Sequence, residues 1–153
     1  MELKAGDKVP NFVAIDTNGA TFESQNIIGK KPVVLYFYPK DNTPGCTAQA
    51  CSFRDQYEDF IDLGAEVIGV SSDSVAAHQK FTKQYKLPFI LLSDFNKKIR
   101  NLFGVPSGMF GLLPGRVTYV IDKDGIIVMI FDSMLATKHI SKALDAIKKL
   151  VKS

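Results

Sequence analysis

Six consecutive apolar or aromatic residues, Val33-Val34-Leu35-Tyr36-Phe37-Tyr38, stop abruptly at Pro39. No polar residue alternates within the run, so neither of its faces suits water, and it reads as a central strand covered on both sides. A chain built around such a strand needs layers on both faces of its sheet. The polar, turn-rich segment Lys40-Asp41-Asn42-Thr43-Pro44-Gly45 follows and delivers Cys46 to the first turn of a helix.

That helix is expected to start at Thr43 or Gly45 and to run to about Leu63, with Gly64 as its stop. Cys46, Ala50, Phe53, Tyr57, Phe60 and Ile61 recur at helical spacing and form its buried stripe. Cys51 lies about 140° around the helix from Cys46. Cys46 is therefore expected to face the core and Cys51 to face outward.

Upstream, the runs near 12–15 and 20–23 flank Asn18-Gly19, a strong hairpin signal, and residues 24–28 predict a single helical turn ended by Gly29. Downstream, residues 65–71 read as a second buried strand. Ser72 or Asp73 is expected to cap a helix over 74–85, with Ala77, Phe81 and Tyr85 inward. A short strand over 89–92 precedes a short helix over 97–103, capped by Ser93-Asp94. The Gly- and Pro-rich stretch 104–115 carries Val105, Met109, Phe110, Leu112 and Leu113, apolar residues unusual in a free loop. Asp124-Gly125 joins strands over 116–121 and 126–131. An amphipathic helix over 138–151 presents Ile140, Ala143, Leu144, Ile147 and Val151 on one face. Strands alternating with helices between two hairpins imply one α/β domain over 1–153, its mixed central sheet flanked by helices.

Composition removes several function classes. The net charge of +3 is small, and the lysine pairs 30–31, 97–98 and 148–149 are isolated, so nothing supports nucleic-acid binding. No apolar stretch approaches the ~18 residues of a membrane span. Residues 1–7 lack an apolar signal core. Two cysteines separated by four residues do not read as a secreted disulfide framework. The expected setting is a reducing one, cytoplasmic or an organelle after loss of a transit peptide, with a transient functional dithiol.

A thiol attacks only as thiolate, and three local features favour that form at Cys46. The N–H groups and dipole of a helix start stabilise negative charge. Thr43, three residues earlier, can bring its hydroxyl across the turn, and Pro39 and Pro44 stiffen the loop, with Pro39 able to shield the sulfur from water. The spacing to Cys51 is informative in its own right. In an intact helix, positions i and i+5 have Cα atoms about 8–9 Å apart, whereas a disulfide needs about 4.4–6.8 Å. Joining these cysteines would therefore require the first turns of the helix to unwind. Two cysteines alone are too few for a structural zinc site.

The run Tyr36-Phe37-Tyr38-Pro39-Lys40-Asp41-Asn42-Thr43-Pro44-Gly45-Cys46-Thr47, followed by Ala50-Cys51-Ser52-Phe53-Arg54-Asp55, closely resembles the peroxiredoxin family, specifically the peroxiredoxin Q or bacterioferritin comigratory protein subgroup. The segment from Leu113-Pro114-Gly115-Arg116 to Asp122 resembles the second signature of that family, and the likeness spans essentially the whole chain. The resemblance implies a thioredoxin-like fold with an amino-terminal β-hairpin extension and no metal or organic cofactor. It implies that Cys46 is the peroxidatic cysteine, attacking hydrogen peroxide or an organic hydroperoxide to become a sulfenic acid. Cys51 would resolve that acid as an intramolecular disulfide, reduced in turn by thioredoxin or a glutaredoxin-like donor. An intramolecular bridge needs no second subunit, so a monomer is expected.

Peroxide cleavage builds negative charge on both the attacking sulfur and the departing oxygen, so donors must face both. Thr43, Arg116 and the N–H groups of Gly45 and Cys46 are the candidates, with Pro39 completing the substrate site. Gln49 and Arg54 could orient Arg116 or lie on a solvated face. His78 and His139 are expected at the edge of the core or on the surface, and Met109 to Leu113 to line the pocket or pack on the helix that carries Cys46, ahead of the alternative of a contact surface for a partner. Two other functions compete. A thiol–disulfide oxidoreductase lacks its Cys-x-x-Cys here, whereas a redox-sensing or chaperone-like module would use Cys46 oxidation to expose apolar helix surface.

Overall fold

The computed structural model describes residues 2–106 and 115–152. Its strands are β1 (Val13–Asp16), β2 (Thr21–Glu23), β3 (Val33–Phe37), β4 (Glu66–Ser71), β5 (Leu91–Ser93), β6 (Val117–Ile121) and β7 (Ile127–Asp132). Its helices are α1 (Pro44–Asp55), α2 (Tyr57–Asp62), α3 (Val75–Tyr85), α4 (Lys98–Phe103) and α5 (Lys138–Lys152). All seven strands join one sheet in the order β2-β1-β5-β4-β3-β6-β7. β3 runs parallel to β4 and antiparallel to β6, so the mixed α/β sheet expected from the sequence is present.

The central strand serves two cores. Val33, Leu35 and Phe37 pack with Phe12, Phe22, Ile99 and Phe103 on one face of the sheet. Val34, Tyr36 and Tyr38 pack on the other with Cys46, Ala50 and Phe53 of α1, Phe60 of α2, Phe81 of α3, and Ile140, Ala143 and Ile147 of α5. Every residue of β3 is fully buried. Each large side chain so enclosed contributes ~1.5–3 kcal/mol. Both hairpins form where Asn-Gly and Asp-Gly predict them, with Gly19 and Gly125 at φ 78° and 84°.

Several expectations change. The helix that starts at Pro44 does not run to Leu63: Gln56 leaves helical geometry (φ −109°, ψ 10°) and divides it into α1 and α2. The bend lets the Tyr57 hydroxyl donate to Glu66 Oε1 at 2.7 Å while Phe60 stays in the core. It also turns Ile61 out to 41% exposure and leaves Tyr57 half-buried, so beyond Phe53 only Phe60 of the stripe is fully buried. Ser74, not Ser72 or Asp73, caps α3 by accepting from the Ala77 N–H, and the inward residues are His78 and Phe81, with Ala77 and Tyr85 half-buried. Asp73 is absent from that role because its carboxylate is turned towards Asp41 and Ser71. His78 and His139 are both fully buried rather than peripheral, and Val151 at the end of α5 is half-exposed. Among the described residues no helix is long and apolar enough to cross a membrane.

Candidate active site

Strand register gathers the site. Phe37, the last residue of β3, pairs with Val117 of β6 on one side and Val70 of β4 on the other. The residues after β3 therefore lie beside Arg116, which precedes β6, and beside the segment after β4. The Tyr38 N–H donates to Val70 O at 3.1 Å, so β4 holds the loop at its first residue.

The loop then turns through Asn42 in a left-handed conformation (φ 60°) and reaches Thr43 in extended geometry at the helix N-cap. Pro44 takes the first helical position, where its missing N–H costs nothing. Thr47 N–H bonds Thr43 O at 2.8 Å. The N–H groups of Gly45 and Cys46 belong to the first turn, which has no intrahelical acceptors for them. Cys46 sits on the buried face of α1 with 1% of its surface exposed.

Arg116 closes over it. The guanidinium is also buried; its Nη2 donates to Cys46 Sγ at 3.5 Å and its Nη1 to Gln49 Oε1 at 2.5 Å. Gln49, fully buried one turn after Cys46, is the residue that orients the arginine. Arg54 is not: it pairs with Asp55 at 3.0 Å and donates to Tyr85 O at 2.8 Å. Gly45 has a steric task, since a Cβ there would stand 3.0 Å from Arg116 Nη2. Thr43 departs from its expected aim, its hydroxyl donating to Lys40 O at 2.8 Å and so bracing the loop rather than the sulfur. Pro39 is half-buried in the same loop. Both thiols are free, Cys46 buried and Cys51 half-buried on the flank of α1. Met109 to Leu113 and the Leu113-Pro114 part of the second signature lie outside the described residues.

Two supporting groups escaped the sequence reading. Arg100, on α4, is buried and donates to Tyr38 O at 3.3 Å and to Gly115 O at 3.2 Å. It thus ties the loop bearing Cys46 to the residue before Arg116, with its charge resting over the Phe37 ring at 5.6 Å. Burial lowers its affinity for its proton, partly offset by Asp94. His139 braces the other side. Its Nε2 donates to Ser133 O at 2.7 Å, its Nδ1 lies 2.7 Å from the Thr118 hydroxyl, and Ser133 N–H reaches Arg116 O at 3.2 Å. Burial, helped by the charge of Arg116, pushes its pKa down to about 4. The ring is therefore neutral near pH 7, and its Nδ1 accepts from Thr118. A charged residue on a short helix and a histidine at a helix start give no spacing signal for either role.

A thiol with a fixed guanidinium beside it and free helix-start N–H groups near it can stabilise anionic sulfur and an anionic oxygen together. The same guanidinium repels a metal cation. The chain matches the AhpC/TSA family over residues 5–130. It is 51% identical over 150 residues to a chloroplastic peroxiredoxin Q of Triticum aestivum, covering 97% of this chain and 69% of that protein. Among solved structures it is similar to the peroxidoxin BcpB of Mycobacterium tuberculosis, with 35% identity, a TM-score of 0.89, and 97% and 99% of the two chains covered. It is also similar to a Xanthomonas campestris bacterioferritin comigratory protein, solved as trapped intermediate and ligand complexes that bear on its alkyl peroxide reduction (28% identity, TM-score 0.83, 92% of each chain).

Proposed function

The chain belongs to the AhpC/TSA family, within its peroxiredoxin Q group of thiol peroxidases, and on that premise we propose that it reduces hydrogen peroxide and organic hydroperoxides through Cys46 and Cys51. The observation that carries the reading is the buried Arg116 guanidinium 3.5 Å from Cys46 Sγ at a helix start. The Cys46 thiolate attacks the terminal peroxide oxygen; an S–O bond forms, the O–O bond breaks, and the departing alkoxide or hydroxide leaves as alcohol or water after taking a proton. Arg116 and the N–H groups of Gly45 and Cys46 stabilise the charge that develops on sulfur and oxygen. Pro39 and Thr43 shape the loop around the peroxide.

Cys51 then attacks the Cys46 sulfenic acid, expelling its oxygen as water and closing a disulfide. Both cysteines lie within one continuous helix, where their Cα atoms stand about 8–9 Å apart. The first turns of α1 must therefore open before the bond forms. The break at Gln56 confines that opening, because α2 is a separate element with Phe60 fixed in the core. A dithiol donor of the thioredoxin or glutaredoxin type returns the two electrons by exchange. The cycle is complete within one chain, which favours a monomeric enzyme comprising a single domain. It suits any reducing compartment, the cytoplasm or a plastid such as the wheat relative's name indicates.

Intact mass under non-reducing conditions, after one equivalent of peroxide, tests the reading. The expected result is a monomer two hydrogens lighter. A stable mass gain of one oxygen would remove Cys51 from the resolving role, and a disulfide-linked dimer would remove the intramolecular bridge. A Cys46→Ser protein that still consumed peroxide at the wild-type rate would end the peroxidase reading itself.

A further inference from the structure

A second polar cluster lies under the catalytic loop, and the chemistry above uses none of it. His78 of α3 is fully buried, as is Asp41 but for 7% of its surface. The His78 Nδ1 lies 2.6 Å from Asp41 Oδ2, and its Nε2 lies 3.1 Å from Leu92 O. A carbonyl only accepts, so Nε2 carries a hydrogen; one further proton lies between Nδ1 and the carboxylate. The Tyr38 hydroxyl donates to the other Asp41 oxygen at 2.5 Å. The Asp41 N–H donates to Asp73 Oδ2 at 2.8 Å, and that oxygen also accepts from the Ser71 hydroxyl at 2.6 Å. Asp41, Asp73 and His78 place a ligand atom each within 4.8 Å of one another, close enough for a cation. Asp41, Asp73 and His78 each already hydrogen-bond inside the protein, so the cluster reads as a clamp rather than a cation site.

What the clamp grips is the loop. Asp41 stands two residues after Pro39, two before Thr43 and five before Cys46, and its side chain and N–H are all held. The gripping groups come from Tyr38 just after β3, from β4 and its following turn, and from α3, none of them in the helix that must open. We propose that His78 is a positioning residue for the peroxidase reaction: through Asp41 it fixes the loop end of α1, so that Cys46 returns to the same place beside Arg116 each time the helix closes. This rests on the peroxidase reading above.

The two ring nitrogens allow the role to be separated from simple core filling. An asparagine amide overlays the position of Nδ1 and keeps a donor to Asp41; a glutamine amide reaches the position of Nε2 and keeps only the bond to Leu92 O. The readout is the rate at which peroxide oxidises Cys46 in the intact chain, followed by stopped flow beside the unfolding midpoint of each variant. His78→Gln is expected to lose about tenfold or more, the cost of a small misplacement of a reacting group, with His78→Asn recovering most of that loss. Equal rates in the two variants, or a faster His78→Gln, overturn the proposal, as do losses that merely track the unfolding midpoints. A wild-type protein whose Cys46 reacts slowly would instead overturn the peroxidase reading, so the two failures are distinguishable.

Discussion

Gly45→Ala should separate stability from chemistry. Gly45 is not in the left-handed region, since the positive-φ glycines among the described residues are 6, 19, 29, 64, 104 and 125. Its backbone therefore accepts alanine, and a helix gains about 0.5–1 kcal/mol from that exchange. The new Cβ, however, would stand 3.0 Å from Arg116 Nη2 and 3.8 Å from Cζ. An ordinary contact of about 3.5 Å requires the guanidinium to retreat by roughly 0.5 Å. It has little room, being buried and bonded to Gln49, and retreat lengthens its 3.5 Å approach to Cys46 Sγ. A misplacement of 1 Å can cost about 10²-fold, so about half that distance should cost about tenfold. The assay is stopped-flow oxidation of Cys46 by peroxide, paired with denaturant unfolding. The expected pattern is a slower first step in a protein at least as stable as wild type, give or take ~1 kcal/mol for the contact. In an Arg116→Ala background the same change should do nothing further. A folded Gly45→Ala protein reacting at the wild-type rate would refute the claim that Arg116 is held against the helix start.

Arg116→Lys keeps the charge but has no fork to reach Gln49 Oε1 and Cys46 Sγ together; a loss of about 10²-fold or more in peroxide reactivity is expected, and an unchanged rate contradicts the assigned role. Cys51→Ser should give one fast turnover and then stall as a sulfenic acid unless an external thiol is supplied; undiminished cycling with a thioredoxin-type donor removes Cys51 from the mechanism. His139, with its folded pKa near 4, stays neutral while the histidine of an unfolded chain protonates near 6.5. The unfolded state then binds more protons, so stability is lost as pH falls from about 6.5 towards 4, by up to ~3 kcal/mol. Chemical unfolding across that range should show a shallower decline for His139→Gln than for wild type, and identical slopes would exclude the histidine as the cause.

Much of this arrangement is legible before any coordinates. The unbroken apolar run of β3 requires cover on both faces, and two Gly-containing turns declare their hairpins. A thiol behind Pro44-Gly45 marks the helix start. What stays hidden depends on contacts distant in sequence. Gln56 carries no breaker signal; α1 ends there because Tyr57 reaches Glu66 and Phe60 enters the core. His78 shares a helix face with Phe81, three residues on, and that spacing could have placed it inside. Only the fold shows that Asp41 waits for it there. Thr43 illustrates the opposite error. Its distance along the chain suits the sulfur, but the nearer Lys40 carbonyl takes its hydroxyl.

The central claim is that the helix holding both thiols comes apart in each cycle. Amide hydrogen exchange, compared between the reduced protein and the form oxidised by one equivalent of peroxide, tests it directly. Protection over residues 46–55 should collapse on oxidation, while α2 and β3 keep theirs. Equal protection of 46–55 in both forms, with the Cys46–Cys51 bond confirmed by mass, would contradict the account.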